Sequence, residues 1–499
     1  MSAPTAGADR GGERGLRPRE PIAGGVEPSG TSLRSSDAGT SPLGPPSQGP
    51  TGDRWRFVLL LACLLVSLAL YAGFAVLLGS VPPGWNGVVG FSLPSGPLFR
   101  SLTGLPALAL SPDEFRRAFT ALLVLLWGLW GVAVFALRGM SDPEARRRAT
   151  MIVTAGGVAI LLLVVVLVPP MLSSDLYRQA VYGRMVVYHG LNPYASPVNA
   201  VPGDPLFAFA NHQHLTTHYG PAYTLLSALV AAIAPSTVLG GAIAWKATAA
   251  AAALGCALLA GRVVRALGGA EADAQNARLW LAWNPLLVLE AAASGHIEPI
   301  MMLPALGGIL LWQQRRPVRG VVVLVTSTLT KWVTGLLVLF AVVWEVRRAE
   351  PGRKLRALLP LVGAAGVTIA LTYAPFARGL MTRRGGISDI AMRGAATVGS
   401  GSATEIPQWA LLACFAAVVI GLTVFVARGA WARLIATTAA LMLAFIVVVN
   451  PWPFPWYYLS PVVLAATLPR GRTGFMLRLL SLGIGATTML LYAKLMASP

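Results

Sequence analysis

Apolar runs of roughly twenty residues, separated by short arginine clusters, recur along the chain from Phe57 to Leu491. That is the length a helix needs to cross a bilayer, and in lipid only a helix or a closed barrel satisfies its own backbone polar groups. Composition agrees: 55% of the 499 residues are apolar and 12% are charged, about half the charged share of a soluble domain. The pattern predicts an all-α polytopic membrane protein of about 13 transmembrane helices.

The formal charge of +19 invites a nucleic-acid reading, but the arginines stand beside apolar segments, as the positive-inside rule expects, so no nucleic-acid partner is called for. Membrane lipids are the expected surroundings. Cys63, Cys256 and Cys414 each lie inside an apolar run, where a thiol is a packing residue rather than a metal ligand or half of a disulfide framework.

Residues 1–53, rich in Gly, Pro and Ser, read as a disordered cytoplasmic tail. Residues 54–499 form the multi-spanning domain, with the Arg146-Arg147-Arg148 cluster on the cytoplasmic side and loops 173–218, 294–299, 377–407 and 450–456 on the outer face. Residues 219–234 are short and open with Tyr219-Gly220-Pro221, the pattern of a partly inserted helix. Residues 321–346 reach only about 39 Å as a helix, too little for two full spans, and are read as two short helices meeting at Lys331 and Trp332, with one tilted span as the rival.

All five histidines fall in the first outer loop or in the turn at His296 on the same face. Asp175 follows Ser173-Ser174 where the chain leaves the membrane. A carboxylate there either caps the helix that follows or takes a proton from a hydroxyl, with nearby arginines able to hold a phosphate. Glu290 lies at membrane depth and needs an internal partner or a wet cavity. His296 and Glu298 are placed to face the same space, and Lys331 to pair with Glu290 or Glu298 or to neutralise a lipid phosphate. Lys246 reads as a snorkelling residue. Arg378, Arg383 and Arg384 on the outer side run against the usual charge bias and suggest an anionic partner. The aromatic stretch from Trp452 to Tyr458 is either an interfacial belt or a lip for a sugar or a polyprenyl chain. His214 and His218 have the i, i+4 spacing of a metal pair, yet no acidic ligand is adjacent, so neither metal nor cofactor is expected.

Taken in order, Val168-Pro169-Pro170, Asp175-Leu176-Tyr177, Gly183-Arg184, Gly190-Leu191-Asn192-Pro193-Tyr194, Tyr219-Gly220-Pro221, Asn284-Pro285 and Gly295-His296 resemble the polyprenol-phosphomannose-dependent mannosyltransferases of the GT-C class. The likeness is to the actinobacterial alpha-1,6-mannosyltransferases of lipoglycan synthesis in particular, and it runs from about Phe57 to Leu491. The turn reads Gly295-His296-Ile297-Glu298 here, where many relatives carry an Asn-Gly-His-Asn-Asp type pattern. The resemblance implies a GT-C-like fold in the bacterial plasma membrane. It also implies an inverting transfer of a sugar, mannose by likeness, from a polyprenyl-phosphate donor to a glycan or lipid-linked acceptor on the extracytoplasmic face. Asp175 becomes the expected base. Arg184, Lys331, Arg383 and Arg384 are the candidates for the donor phosphate, and Tyr177, Arg178, Asn192, Tyr194, His218, Tyr219, His296, Glu298 and Trp452 for substrate contact. The competing reading is a transporter or lipid flippase without bond-making chemistry, but transporters gather their polar residues near the midplane, whereas here they crowd one outer face.

Overall fold

The computed structural model describes residues 50–81, 86–87, 91–92, 96–104, 106–170, 173–377, 408–450 and 454–495. Several helix starts follow from local chemistry. Ser111 and Glu114 form a reciprocal capping box ahead of Pro112, and the Asp142 carboxylate accepts from the amides of Glu144 and Ala145 ahead of the next helix. Asn284 caps the turn that begins at Pro285 in the same way.

In chain order the helices are α1 (Pro50–Gly79), α2 (Gly96–Thr103), α3 (Pro112–Gly139), α4 (Pro143–Leu167), α5 (Asp175–Tyr188), α6 (Pro221–Ile233), α7 (Val238–Ala266) and α8 (Glu271–Ala282). There follow α9 (Pro285–Ala293, a π-helix from Val288 onward), α10 (Glu298–Gln313), α11 (Pro317–Thr328), α12 (Gly335–Arg348) and α13 (Lys354–Tyr373). The last four are α14 (Gln408–Ala427), α15 (Trp431–Ala444), α16 (Leu459–Ala466) and α17 (Arg472–Leu495). A two-residue antiparallel ladder pairs Asn86 with Ser92 and Gly87 with Phe91. The protein is thus an all-α polytopic membrane protein.

Among the described residues, eight helices (α1, α3, α4, α7, α13, α14, α15 and α17) are long and apolar enough to cross a bilayer. The pair α9 and α10 meets at a 115° bend and passes the same test only together, making nine if it counts as one span. Of about 13 expected spans, then, eight or nine are recognisable by length and composition. Residues 279–293 and 300–312, two separate apolar runs of the sequence, fall in this bent pair and the end of α8. The 321–346 stretch is divided between α11 and α12, which join through Leu329–Thr334.

α7 is central, with 56% of its apolar window buried against α8, α10 and other neighbours, whereas α13 is peripheral at 6%. In lipid such helices are held by packing and interhelical hydrogen bonds rather than by a hydrophobic drive. Lys246 of α7 supplies one of these contacts. It is fully buried, donates to the carbonyls of Val164 and Val168 at the end of α4, and lies 4.3 Å from the Phe99 ring centroid. The snorkelling reading is therefore corrected: the amino group donates to the carbonyls that end α4 instead of reaching for water. At the other end of α4, buried Asp53 accepts from the amides of Ser141 (3.1 Å) and Asp142 (2.7 Å), so α1 begins within the stretch read as tail and is tied to the α3–α4 turn.

Candidate functional site

α5 starts where α4 has just ended, and its first residue is Asp175. The Asp175 amide donates to Ser173 Oγ at 3.1 Å, but its carboxylate caps nothing. One oxygen, Oδ1, instead accepts from Arg178 Nη2 at 3.0 Å and from Asn211 Nδ2 at 2.7 Å. The other, Oδ2, has no hydrogen-bond partner among the described residues. The side chain is 15% exposed and that of Arg178 5%. Burial pushes the Asp175 carboxyl up, but Arg178, then His296 and the Asn211 amide, outweigh it and bring the group down from 3.8 to about 2. Asp175 is therefore ionised throughout the physiological range.

The second part of the site comes from a close backbone approach. The Gly220 amide donates to Thr330 O at 3.3 Å and the Ala222 amide to Leu329 O at 3.1 Å. A Cβ on Gly220 would stand 2.0 Å from Leu329 O, so only glycine permits this joint. It sets Tyr219, just before α6, beside Lys331, just after α11. Lys331 Nζ donates to Glu298 Oε1 at 2.6 Å and lies 4.6 Å from the Tyr457 ring centroid. Its side chain is 14% exposed and that of Glu298 2%. His218 is exposed, and its ring centroid lies 4.2 Å from that of Tyr219. Loss of surrounding water, followed by the charges of Arg178 and Lys331, pushes its imidazole below the ordinary range, leaving it neutral near pH 7.

The break between α9 and α10 supplies the third part. Gly295 has φ +69, a value that favours glycine, and its carbonyl accepts from Trp245 Nε1 at 2.9 Å. The same indole donates to Gln179 Oε1 at 2.9 Å, locking α5, α7 and the break together. His296 stacks on Trp456 with ring centroids 4.0 Å apart, and its Nε2 lies 3.4 Å from a carboxylate oxygen of fully buried Glu290. The charges of Arg178 and His296 act on Asp175, those of Lys331 and Glu298 on Tyr219.

Asp175, Arg178, His218, Tyr219, His296, Glu298 and Lys331 are thus brought together. The other candidates lie elsewhere. Arg184 is buried and pairs through Nε with Asp204 at 2.8 Å, an interaction that His189 Nε2 joins at 3.0 Å. Asn192 donates to Phe376 O at 3.0 Å, and the Tyr194 hydroxyl bonds Tyr219 O (3.0 Å) and Thr224 Oγ1 (2.9 Å), so both tie the loop to its neighbours. Tyr177 is buried against Phe209 at 5.3 Å between ring centroids. Arg383, Arg384 and Trp452 lie outside the described residues. Asn211 was not anticipated: it bonds Asp175 from 36 residues away, and nothing in its local sequence marks it. Trp456 and Tyr457 were visible only as part of an aromatic stretch.

A carboxylate with no hydrogen-bond partner on one oxygen among the described residues, beside Arg178, Lys331 and the imidazoles of His218 and His296, can accept a proton while an anion is held close by. Residues 66–347, which contain every grouped side chain just named, match the family described as "Alpha-(1->6)-mannopyranosyltransferase, N-terminal domain". The chain is also 26% identical over 280 residues to "Alpha-(1->6)-mannopyranosyltransferase A" of Mycobacterium tuberculosis, covering 55% of this chain and 52% of that protein. The protein of the same name from Corynebacterium glutamicum is 26% identical over 215 residues, covering 40% of this chain and 42% of the relative. The matches thus span about half the length of these relatives or less. No solved structure matches the chain. Since the family match takes in more than half of its residues, the chain belongs to the alpha-(1->6)-mannopyranosyltransferase family.

Proposed function

We propose that the chain transfers a mannosyl residue from a polyprenyl-phosphate donor to a glycan or lipoglycan acceptor on the extracytoplasmic face of the plasma membrane, with inversion and with Asp175 as the base. The observation that carries this reading is the half-buried Asp175 carboxylate, which has no hydrogen-bond partner on Oδ2 among the described residues and lies close to Arg178, His296 and Lys331 within a matched family segment.

In the proposed step the acceptor oxygen attacks the anomeric carbon, the bond from that carbon to the phosphate oxygen breaks, and the acceptor proton passes to Asp175 Oδ2. A carboxylate at about 2 is always ionised but has little proton affinity, so the proton leaves late, once the attacking oxygen has bonded and become strongly acidic. Most of the barrier reduction then comes from charges already in place for the departing phosphate. Lys331 is the leading cation for it. Both Lys331 and Arg184 have carboxylate partners, but Lys331 acts on Asp175 whereas Arg184 pairs with Asp204 away from it and is better suited to holding the loop. Arg383 and Arg384, outside the described residues, remain candidates for the phosphate from sequence alone. His218, Tyr219 and His296 supply hydrogen bonds to sugar hydroxyls.

Asp175→Asn is the direct test, with labelled polyprenyl-phosphate mannose as donor. Transfer should fall by about 10² to 10⁴ while expression and helical content stay near wild type, with a lowered melting temperature because Arg178 is left buried without its anion. Full turnover in the variant removes the base assignment. Movement of the labelled lipid across sealed vesicles without transfer to any acceptor would favour the transporter reading, which the bent α9–α10 pair with its buried Glu290 keeps worth testing.

A further inference from the structure

A groove of about 790 Å³, lined by none of the residues grouped around Asp175, lies between α14, α15 and α17. Its floor is the small-residue face of α15, with Ala432, Ala436, Ala440 and Ala444 at successive turns, and its walls include Phe425 and Leu477. Twelve residues of helix give it a length of about 18 Å. The groove opens at the α14–α15 and α16–α17 turns, where Arg433, Arg470 and Arg472 stand at its mouth. The other end of α15 leads toward Trp456 and the Asp175 cluster, so the arginine mouth lies at the opposite end of the bundle.

The charge at this mouth is unbalanced. Arg470 pairs with Asp273, but Arg433 and Arg472 are exposed and have no carboxylate partner among the described residues. The Arg433 guanidinium lies 5.0 Å from the Phe425 ring centroid, at the edge of the apolar wall. The charge of Arg470 also acts on Arg138, Arg146 and Arg478, extending the positive region beyond the groove. An apolar slot between membrane helices with free guanidiniums at one end is complementary to a molecule with a long hydrocarbon chain and an anionic phosphate head. A soluble anion would have no use for the slot, and a neutral lipid none for the arginines.

We propose that this groove binds one anionic phospholipid, its acyl chain along the alanine face of α15 and its phosphate against Arg433 and Arg472. Such a lipid would fill the gap between α14 and α17 and fasten helices of the carboxyl-terminal part, which lies beyond the family match.

The test uses the full chain reconstituted in phosphatidylcholine containing a minority of phosphatidylglycerol, transferred to mild detergent and examined by native mass spectrometry. Wild type should keep phosphatidylglycerol in preference to phosphatidylcholine. The R433Q/R472Q double variant, altered only at exposed side chains, should lower that retention about tenfold. Ala440→Trp, which fills the slot with the arginines intact, should lower it as well. Equal retention in wild type and both variants would overturn the proposal, as would indifference to headgroup charge or displacement of the lipid by inorganic phosphate alone.

Discussion

Arg178→Gln separates the charge of Asp175 from its position. The guanidinium nitrogen is 3.0 Å from the carboxylate oxygen, and the two side chains are 5% and 15% exposed. Two unit charges about 4 Å apart at an effective dielectric near 20 interact by about 4 kcal/mol, or some three pKa units at roughly 1.36 kcal/mol each. Measured effects of a neighbouring arginine on an aspartate run from about 1 to 3 units. The folded carboxyl lies below its ordinary 3.8, at about 2, so the ionised form is fully present above 3.8 and is lost as pH falls through about 2. Wild-type kcat/KM should therefore show no acid limb from Asp175 above about pH 4. Without Arg178, burial is opposed by His296, His212, the Asn211 amide and Lys331, and the limb should rise to between about pH 4 and 5. The assay is the pH profile of kcat/KM for mannosyl transfer, with Asp175→Asn as the floor. A limb at the same pH in wild type and variant would refute the electrostatic account. A loss of equal size at every pH would make Arg178 a substrate contact rather than the group that sets the Asp175 charge.

Three further substitutions probe how the site is held. Lys331→Gln leaves Glu298 buried without its cation, which should cost about 3 to 5 kcal/mol in thermal unfolding and raise the donor KM; adding Glu298→Gln should restore most of the stability but not the KM. Gly220→Ala forces α6 away from the Leu329 carbonyl and should lower kcat/KM by on the order of 10², measured beside circular dichroism to confirm that the helices persist. Asp204→Asn strands the buried Arg184 and should lower the melting temperature with little change in donor KM; a raised KM at unchanged stability would return Arg184 to the phosphate.

The membrane class and the crowding of polar residues on one face could be read from the chain because apolar run length and charge placement are local properties. The number of spans could not. Whether residues 285–313 cross twice or bend once depends on the π-helix at Val288–Ala293 and the turn at Gly295, where the amides of Gly295 and His296 bond back to Ala291 and Glu290. Lys246 was misjudged for a related reason: a lone lysine in an alanine-rich run looks free to snorkel until the end of α4 is seen to present its carbonyls to it. Asn211 and Trp456 reach the site from distant segments, so no spacing rule could have named them.

Arg178 and Arg184 show where more could have been read. From the sequence, Arg184 is a candidate for the donor phosphate and Arg178 for substrate contact, with neither assigned to Asp175. Once residues 175–188 are a helix, its phase distinguishes them. Arg178, three positions on, lies on the face of Asp175, whereas nine positions turn Arg184 by about 180° and carry it about 13.5 Å along the axis. The structure accordingly gives Arg178 to Asp175 and Arg184 to Asp204 on the opposite side of α5. That division makes α5 the link between the Asp175 end and the Asp204 end of the 173–218 segment. One face carries the carboxylate and the cation that holds it ionised, and the other anchors the segment around Asp204 whose continuation delivers Asn211 to the same carboxylate. A loss of the Arg184 anchor should then reach Asp175 through Asn211, as a shift in its pH dependence rather than as a weaker grip on the donor.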